Sequence, residues 1–438
     1  MLKKVTLIII ILNTFSLKVF AMDDKKVILG SLKKAQEWLL SQQTPNNVVK
    51  DSKRPGFILS YEHTPGKDGY KYIFSKSSIY DNALAVIAFT MLGNDVAAMK
   101  ILKSVMETSP TGLLYFNYNT HNHWPNDKDR NGAVVRNGAS AWFGYAVAFY
   151  LKIQIKKNPK YLISSQGKDL QNYLKKIINQ ILKFKIVDKL DPRHGLITGG
   201  HGKHKLKLVK NKPIEEFTDE KIDWVSIEHC MDLYFLLHEA HLLKISDYDK
   251  TYKLLKEKLV PMFWNEEINQ FNRGYGINGK DPVEALDAAS WGAMYLYSIG
   301  DIEKSIKALR KAEAYINWND PLKGHRPYIN VKVFEDWTMN EFYYPSDKAK
   351  SWGGIDISWY EGTFGVYLAQ LKVKGQTKKM RDLLFSILKG QKDNGSFVYA
   401  TREIPFQFSK EPSVASTAWF VILASSYIVP EFRQEFWP

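Results

Sequence analysis

Two kinds of helical segment alternate along the chain. Residues 28–43, 96–108, 170–186, 248–264, 302–316 and 378–391 repeat their apolar positions every three or four residues and carry lysines on the opposite side. That period predicts amphipathic helices with one wet face. Between them fall 80–94, 136–151, 226–243, 284–300, 355–371 and 412–426, apolar nearly all round and rich in Ala, Gly and Ser. A helix apolar on every side must be surrounded by others, and small residues let neighbours approach closely. The alternation predicts an all-α (α/α)6 toroid, with six inner helices inside six outer ones, as a single domain over 22–438. A stack of helical hairpins without closure is the alternative. The stretches "GLLYFNYN", "NQFNRGYG" and "NGSFVYAT" read as turns or short strands at one rim, beside the long loops that lead into the inner helices.

If the chain passes from outer to inner each time, all six inner helices start at the same end. Their first turns bring together Tyr80 and Asp81, Arg136 and Asn137, Glu228, His229 and Asp232, Asp287 and Trp291, Asp356, Trp359 and Glu361, and Glu411 and Ser413. Polar groups gathered at one end of otherwise apolar helices predict a polar pocket on a rigid scaffold. Each has a plainer reading. Ser78 and Asp81 fit a capping box, Glu228 suits the positive end of a helix that Ser226 caps, and Asp232 and His229 could be buried, hydrogen-bonded core groups. Glu361 inside an apolar segment is costly unless it is paired or faces a wet cavity. Loop aromatics, among them Tyr70, Tyr72, Phe74, Trp124, Trp337, Tyr343, Tyr344 and Trp352, offer flat faces on which a sugar ring can stack.

Residues 1–21, "MLKKVTLIIIILNTFSLKVFA", read as a signal peptide cut after Ala21: two early lysines, a short apolar run and small residues at Val19 and Ala21. An uncleaved anchor is the other reading. No later run reaches membrane length, so no stable membrane insertion is expected after cleavage. Cys230 is the single cysteine, which excludes an intrachain disulfide. Export without disulfides suggests a bacterial periplasmic or secreted protein. The net charge of +15, with lysines dense in 152–186 and 203–212, fits either solvated faces or an anionic partner such as an acidic polysaccharide. No nucleic-acid motif is present, and neither a metal nor an organic cofactor is expected. "HEAH" (238–241) lacks the spacing of a zinc helix. Asp127, Asp129 and Asn131 begin like a calcium loop, but Gly138 stands where its closing glutamate belongs. "TGGHGKHK" (198–205) reads as a mobile rim loop, with His201 and His204 as possible ligand contacts.

"YDNALAVIAF", "SIEHCMDLY", "WGGIDISWYEGTFG" and "PSVASTAWFVILA" are similar to segments of bacterial exported proteins of the six-hairpin glycosidase superfamily. The resemblance covers nearly the whole chain and is architectural. It implies cleavage of glycosidic bonds by two carboxylates at the toroid mouth, inversion being common in the superfamily. The same toroid also hosts polysaccharide lyases and terpenoid cyclases, so fold alone does not decide the chemistry. Under the hydrolase reading, Glu228 is the acid, since an apolar helix and Trp224 keep its carboxyl protonated. Asp81 or Glu361 is the base, with Asp356 and then Asp287 as further candidates. Tyr80, Arg136, Asn137, His229, Asp232, Trp291, Trp352, Trp359 and His201 hold the sugar. A lyase would instead use Tyr80, His201 or Asn137 beside Arg136 on an acidic glycan. A glycan-binding toroid without turnover is the third reading.

Overall fold

The computed structural model describes residues 22–66, 74–123, 125, 134–209, 212–281, 283–330, 352–404 and 407–438. Among these described residues are thirteen α-helices. Six form the outer layer: α1 (Met22–Gln42), α3 (Asp95–Thr108), α5 (Ser165–Leu182), α7 (Asp249–Phe263), α9 (Ile302–Ala312) and α11 (Lys378–Leu388). Six form the inner layer: α2 (Ile79–Met91), α4 (Asn137–Lys157), α6 (Ile227–Leu242), α8 (Leu286–Ser298), α10 (Tyr360–Lys374) and α12 (Val414–Ile428). Each inner helix packs on the next, and α12 packs back on α2, so the ring closes. Inner helices bury almost every side chain, whereas α5 buries one stripe (Leu170, Tyr173, Leu174, Ile177, Ile178, Ile181) and leaves its lysines to solvent. The apolar-all-round and one-faced patterns therefore sort the helices into the two layers. None of the described helices is long and apolar enough to cross a membrane.

A second closure runs around the rim. The residue before each inner helix is extended: Ser78, Arg136, Ser226, Ala285, Trp359 and Ser413. Each bridges antiparallel to the loop that follows the next outer helix. Ser78 pairs with Asn117, Arg136 with Gly200, Ser226 with Gly274, Ala285 with Tyr328 and Trp359 with Ala400. Ser413 pairs with Tyr61, after the first outer helix, and completes the circle.

Two local readings of the sequence change. The segment 355–371 is helical only from Tyr360, because Trp359 is held extended by bridges to His325 and Ala400. The glycine-rich stretch near 200 is not a loop. Strand Gly200–Val209 pairs with Lys212–Ile222 in a long antiparallel hairpin, with Lys205 opposite Glu216 and Lys203 opposite Thr218. Its lysines alternate along the sequence with a strand's period of two.

The far end of the ring is plugged by the chain's own end. After α13 (Pro430–Glu435), Phe436 and Trp437 are 0% and 1% exposed. Trp437 stacks on Phe235 with ring centres 4.4 Å apart, and its backbone N–H donates to Tyr145 Oη at 2.8 Å. Lys372 Nζ donates to the carbonyls of Arg433 and Phe436, both at 2.7 Å. Lys152 Nζ donates to the carbonyl of Glu435 at 2.7 Å and to Glu239 Oε1 at 2.6 Å. These two lysines satisfy backbone oxygens that would otherwise be stranded at the seal.

Candidate active site

Between rim and plug lies a cavity of about 610 Å³. Its wall follows a rule set by the rim bridges. Two residues beyond each bridged cap stand Tyr80, Gly138, Glu228, Asp287, Glu361 and Ala415, and all six line the cavity. One helical turn deeper on the same faces come Trp142, Asp232 and Trp291, which form the floor. Trp419 occupies the same depth on α12 and stacks on Trp291 at 5.8 Å between ring centres. Trp437 of the plug supports this floor from below, 5.0 Å from Trp142 and 5.4 Å from Trp291.

Gly138 is required where it stands. A Cβ there would lie 2.2 Å from Cδ2 of His229, so the imidazole fills the space that the glycine leaves. Tyr80 Oη donates to Glu361 Oε1 at 2.5 Å and accepts from Trp419 Nε1 at 2.9 Å. Asp81 sits beside Tyr80, within reach of the Ser60 hydroxyl and the Lys76 charge.

No family model and no curated protein matches the sequence. Solved structures do match the fold. A glycosidase in complex with glucose superposes with TM-score 0.58 at 8% identity, over 93% of this chain and 99% of that one. A D-mannose isomerase gives TM-score 0.59 at 9% identity, over 93% and 99%. A cellobiose 2-epimerase from Bacillus thermoamylovorans gives 0.57 at 10% identity, over 90% and 98%. This chain has the (α/α)6 toroid fold that these structures share.

Within that toroid the cavity gathers five carboxyl groups: Asp81, Glu228, Asp232, Asp287 and Glu361. Asp81, Asp232 and Glu361 are 6%, 3% and 5% exposed, while Glu228 and Asp287 keep a partial opening toward the cavity. Burial disfavours the charged form of each. It pushes Asp81 up to about 7, against the Ser60 hydroxyl and Lys76. It pushes Glu228 up to about 7, against the charge of Arg273. Glu361 rises to about 8, chiefly by burial; the Tyr80 hydroxyl opposes the rise, and the charges of Asp81 and Glu228 add to it. Asp232 and Asp287 rise well above the usual carboxylate range, by burial first and then by the negative charge of Glu228 beside them. His229 is pulled down to about 4 by burial and Arg136, which keeps its ring neutral.

Of the residues expected at the site, Tyr80, Asp81, Arg136, Glu228, His229, Asp232, Asp287, Trp291, Trp359 and Glu361 line the cavity. Arg136 does so with its guanidinium tied to the carbonyls of Val135, His201 and Gly202. Four others lie elsewhere. Asp356 is exposed and accepts from Asn317 Nδ2 at 2.8 Å, because the helix starts only after Trp359. Asn137 is buried and donates to the Thr198 carbonyl at 2.7 Å, so its amide braces the rim. Trp352 packs behind the wall against Tyr328 and Phe408, at 5.7 and 5.5 Å. His201 points along the hairpin to Asp219, 2.5 Å away.

The glutamate of "HEAH", Glu239, pairs with Lys152, and His241 pairs with Asp249. No cluster of three or more metal-ligating side chains occurs among the described residues. Asp127, Asp129, Asn131, the segment 1–21 and the loop aromatics Tyr70, Tyr72, Trp124, Trp337, Tyr343 and Tyr344 lie outside the described residues, as do the surroundings of His204.

Sequence reasoning missed Trp142, Tyr61, Tyr328, Tyr399 and Phe408, which also line the cavity. Trp142 was findable: it lies six residues after its cap, as Asp232 and Trp291 do. The other four stand on rim loops, where no period marks them.

Proposed function

We propose that this protein is an exported glycoside hydrolase, with Glu228 as general acid and Asp81 as general base. The observation that carries the reading is the pairing of these two carboxyl groups in one aromatic-floored cavity. They stand on α6 and α2, the two neighbours of α4, which presents only Gly138 and Ala139 at that level. Glu228, raised to about 7, keeps a proton to give to the leaving glycosidic oxygen at neutral pH. Asp81 is raised to about 7 by burial, with Ser60 and Lys76 opposing the rise, so a share of it is ionised at neutral pH. It takes the proton of a water whose oxygen attacks the anomeric carbon, as the bond to the leaving oxygen breaks. Tyr80, anchored between Glu361 and Trp419, and the faces of Trp142 and Trp291 position the sugar ring. That solved glycosidases share the fold adds support.

Epimerisation of a sugar is the second reading, favoured by the isomerase and epimerase with the same fold. A lyase draws less support, since Asn137 and His201 are turned away and the Arg136 guanidinium is already engaged. Purified protein lacking residues 1–21 tests all of these on a panel of α- and β-linked glycans. Hydrolysis adds one water to the products, epimerisation leaves the mass unchanged, and elimination gives an ultraviolet-absorbing product. Glu228→Gln and Asp81→Asn should each lower hydrolysis by about 100- to 10,000-fold. Failure of the parent to cut any glycan sinks the reading. Periplasmic or secreted location rests on the leader; the mass of the protein recovered from its natural cell should begin at Met22.

A further inference from the structure

The cavity gathers acids although the chain as a whole is basic. Net charge is +15, yet the floor and one wall carry Glu228, Asp232 and Asp287 together. Glu228 and Asp232 lie one turn apart on α6, and Asp287 lies on the neighbouring α8. Asp232 is 3% exposed and its Oδ1 has no hydrogen-bond partner; Oδ1 of Asp287 has none either. The cations nearby are engaged: Lys76, also on the cavity wall, acts on Asp81. Arg273, which acts on Glu228, is held by Asp281 at 2.8 and 3.0 Å. Arg136 is tied to three backbone carbonyls, and His229 is neutral.

Burial holds Asp232 and Asp287 protonated with one oxygen of each unpaired, and a bound cation would draw them into the ionised form and pair them. A metal ion does not fit, since no described cluster has ligating geometry. An ammonium does. It can donate three hydrogen bonds, and the unpaired oxygens of Asp232 and Asp287 can accept them. Resting on the reading of this cavity as a glycan site, we infer that its inner subsite takes an unacetylated amino sugar, whose ammonium is held by Asp232 and Asp287 beside Glu228. An acidic sugar is disfavoured there, whatever the outer surface attracts.

The test is binding of four soluble oligosaccharides of equal length to the purified protein, by calorimetry at pH 7. They are built from glucosamine, N-acetylglucosamine, glucose and galacturonate. The glucosamine oligomer should bind at least tenfold more tightly than the acetylated and glucose oligomers, and the galacturonate oligomer should not compete with it. A basic surface repels a cationic glycan, so that order can arise only in the cavity. Asp232→Asn and Asp287→Asn should each bring the ratio of glucosamine to glucose affinity close to one. Equal affinities in the parent, or preference for galacturonate, overturn the inference and leave the glycan reading standing. A preference that survives both substitutions overturns the assignment to this cluster. Binding of none of the four overturns the inference and the glycan reading together.

Discussion

Tyr80 Oη donates to Glu361 Oε1 at 2.5 Å, joining α2 to α10 across the start of α12, whose Trp419 donates in turn to Tyr80. The three groups form one chain, so the protonation of Glu361 depends on a hydroxyl from another helix. Tyr80→Phe should push Glu361 above its present value near 8, because the bond that favours the carboxylate is gone. Infrared titration, with Glu361→Gln to identify the band, should show the protonated carboxyl persisting to higher pH. An unmoved titration would contradict this.

Stability should fall as the medium becomes more alkaline. Asp81, Glu228 and Glu361 have folded values of about 7, 7 and 8, above their ordinary values of 3.8, 4.5 and 4.5. Between those limits the unfolded chain has released protons that the folded one keeps. The stability present below pH 4 is therefore lost as pH rises through 7 to 8. Thermal midpoints should decline from pH 5 to pH 8, and Glu361→Gln should flatten the decline. A midpoint that rises over this range would contradict the assignment.

Gly138→Ala places a methyl group where the His229 ring lies, 2.2 Å from Cδ2. The imidazole must shift, and overpacking of this kind costs about 1–3 kcal/mol. Urea denaturation should show that loss. Glycan binding should weaken as well, because His229 leaves the cavity wall.

Trp437→Ala removes the support beneath Trp142 and Trp291. Truncating a buried tryptophan costs about 3–5 kcal/mol. Denaturation should register it, and the tryptophan fluorescence of the floor should shift to the red as water enters from the plugged end.

How much of this could be read from the sequence depends on what periodicity encodes. It separates α2, buried all round, from α5, with its single stripe, and thereby predicts the concentric layers. It also gathers Asp81, Glu228, Asp287 and Glu361, because the outer-to-inner passage forces their helices to begin at one end. It misplaces Asp356, since "DISW" reads as a helix start although Trp359 is pinned extended by two neighbouring strands. It misreads 198–205 as a loop on account of its glycines, although "HKLKLV" alternates with a strand's period and Gly200 opens a strand. The plug leaves no periodic trace at all, because two aromatics after a short helix look like a frayed tail until Lys372 and Lys152 are seen holding the carbonyls of Arg433, Glu435 and Phe436.

The hoop of bridges from Ser78–Asn117 round to Ser413–Tyr61 has a mechanical consequence. The stitches between successive connections fix where each acid-bearing rod begins, and the circle of bridges has no break at which misfit can be absorbed. A change in any one connection, however distant from the sugar, is passed on to the next station. Distant lesions should therefore disturb the alignment of the acids while the rods themselves survive.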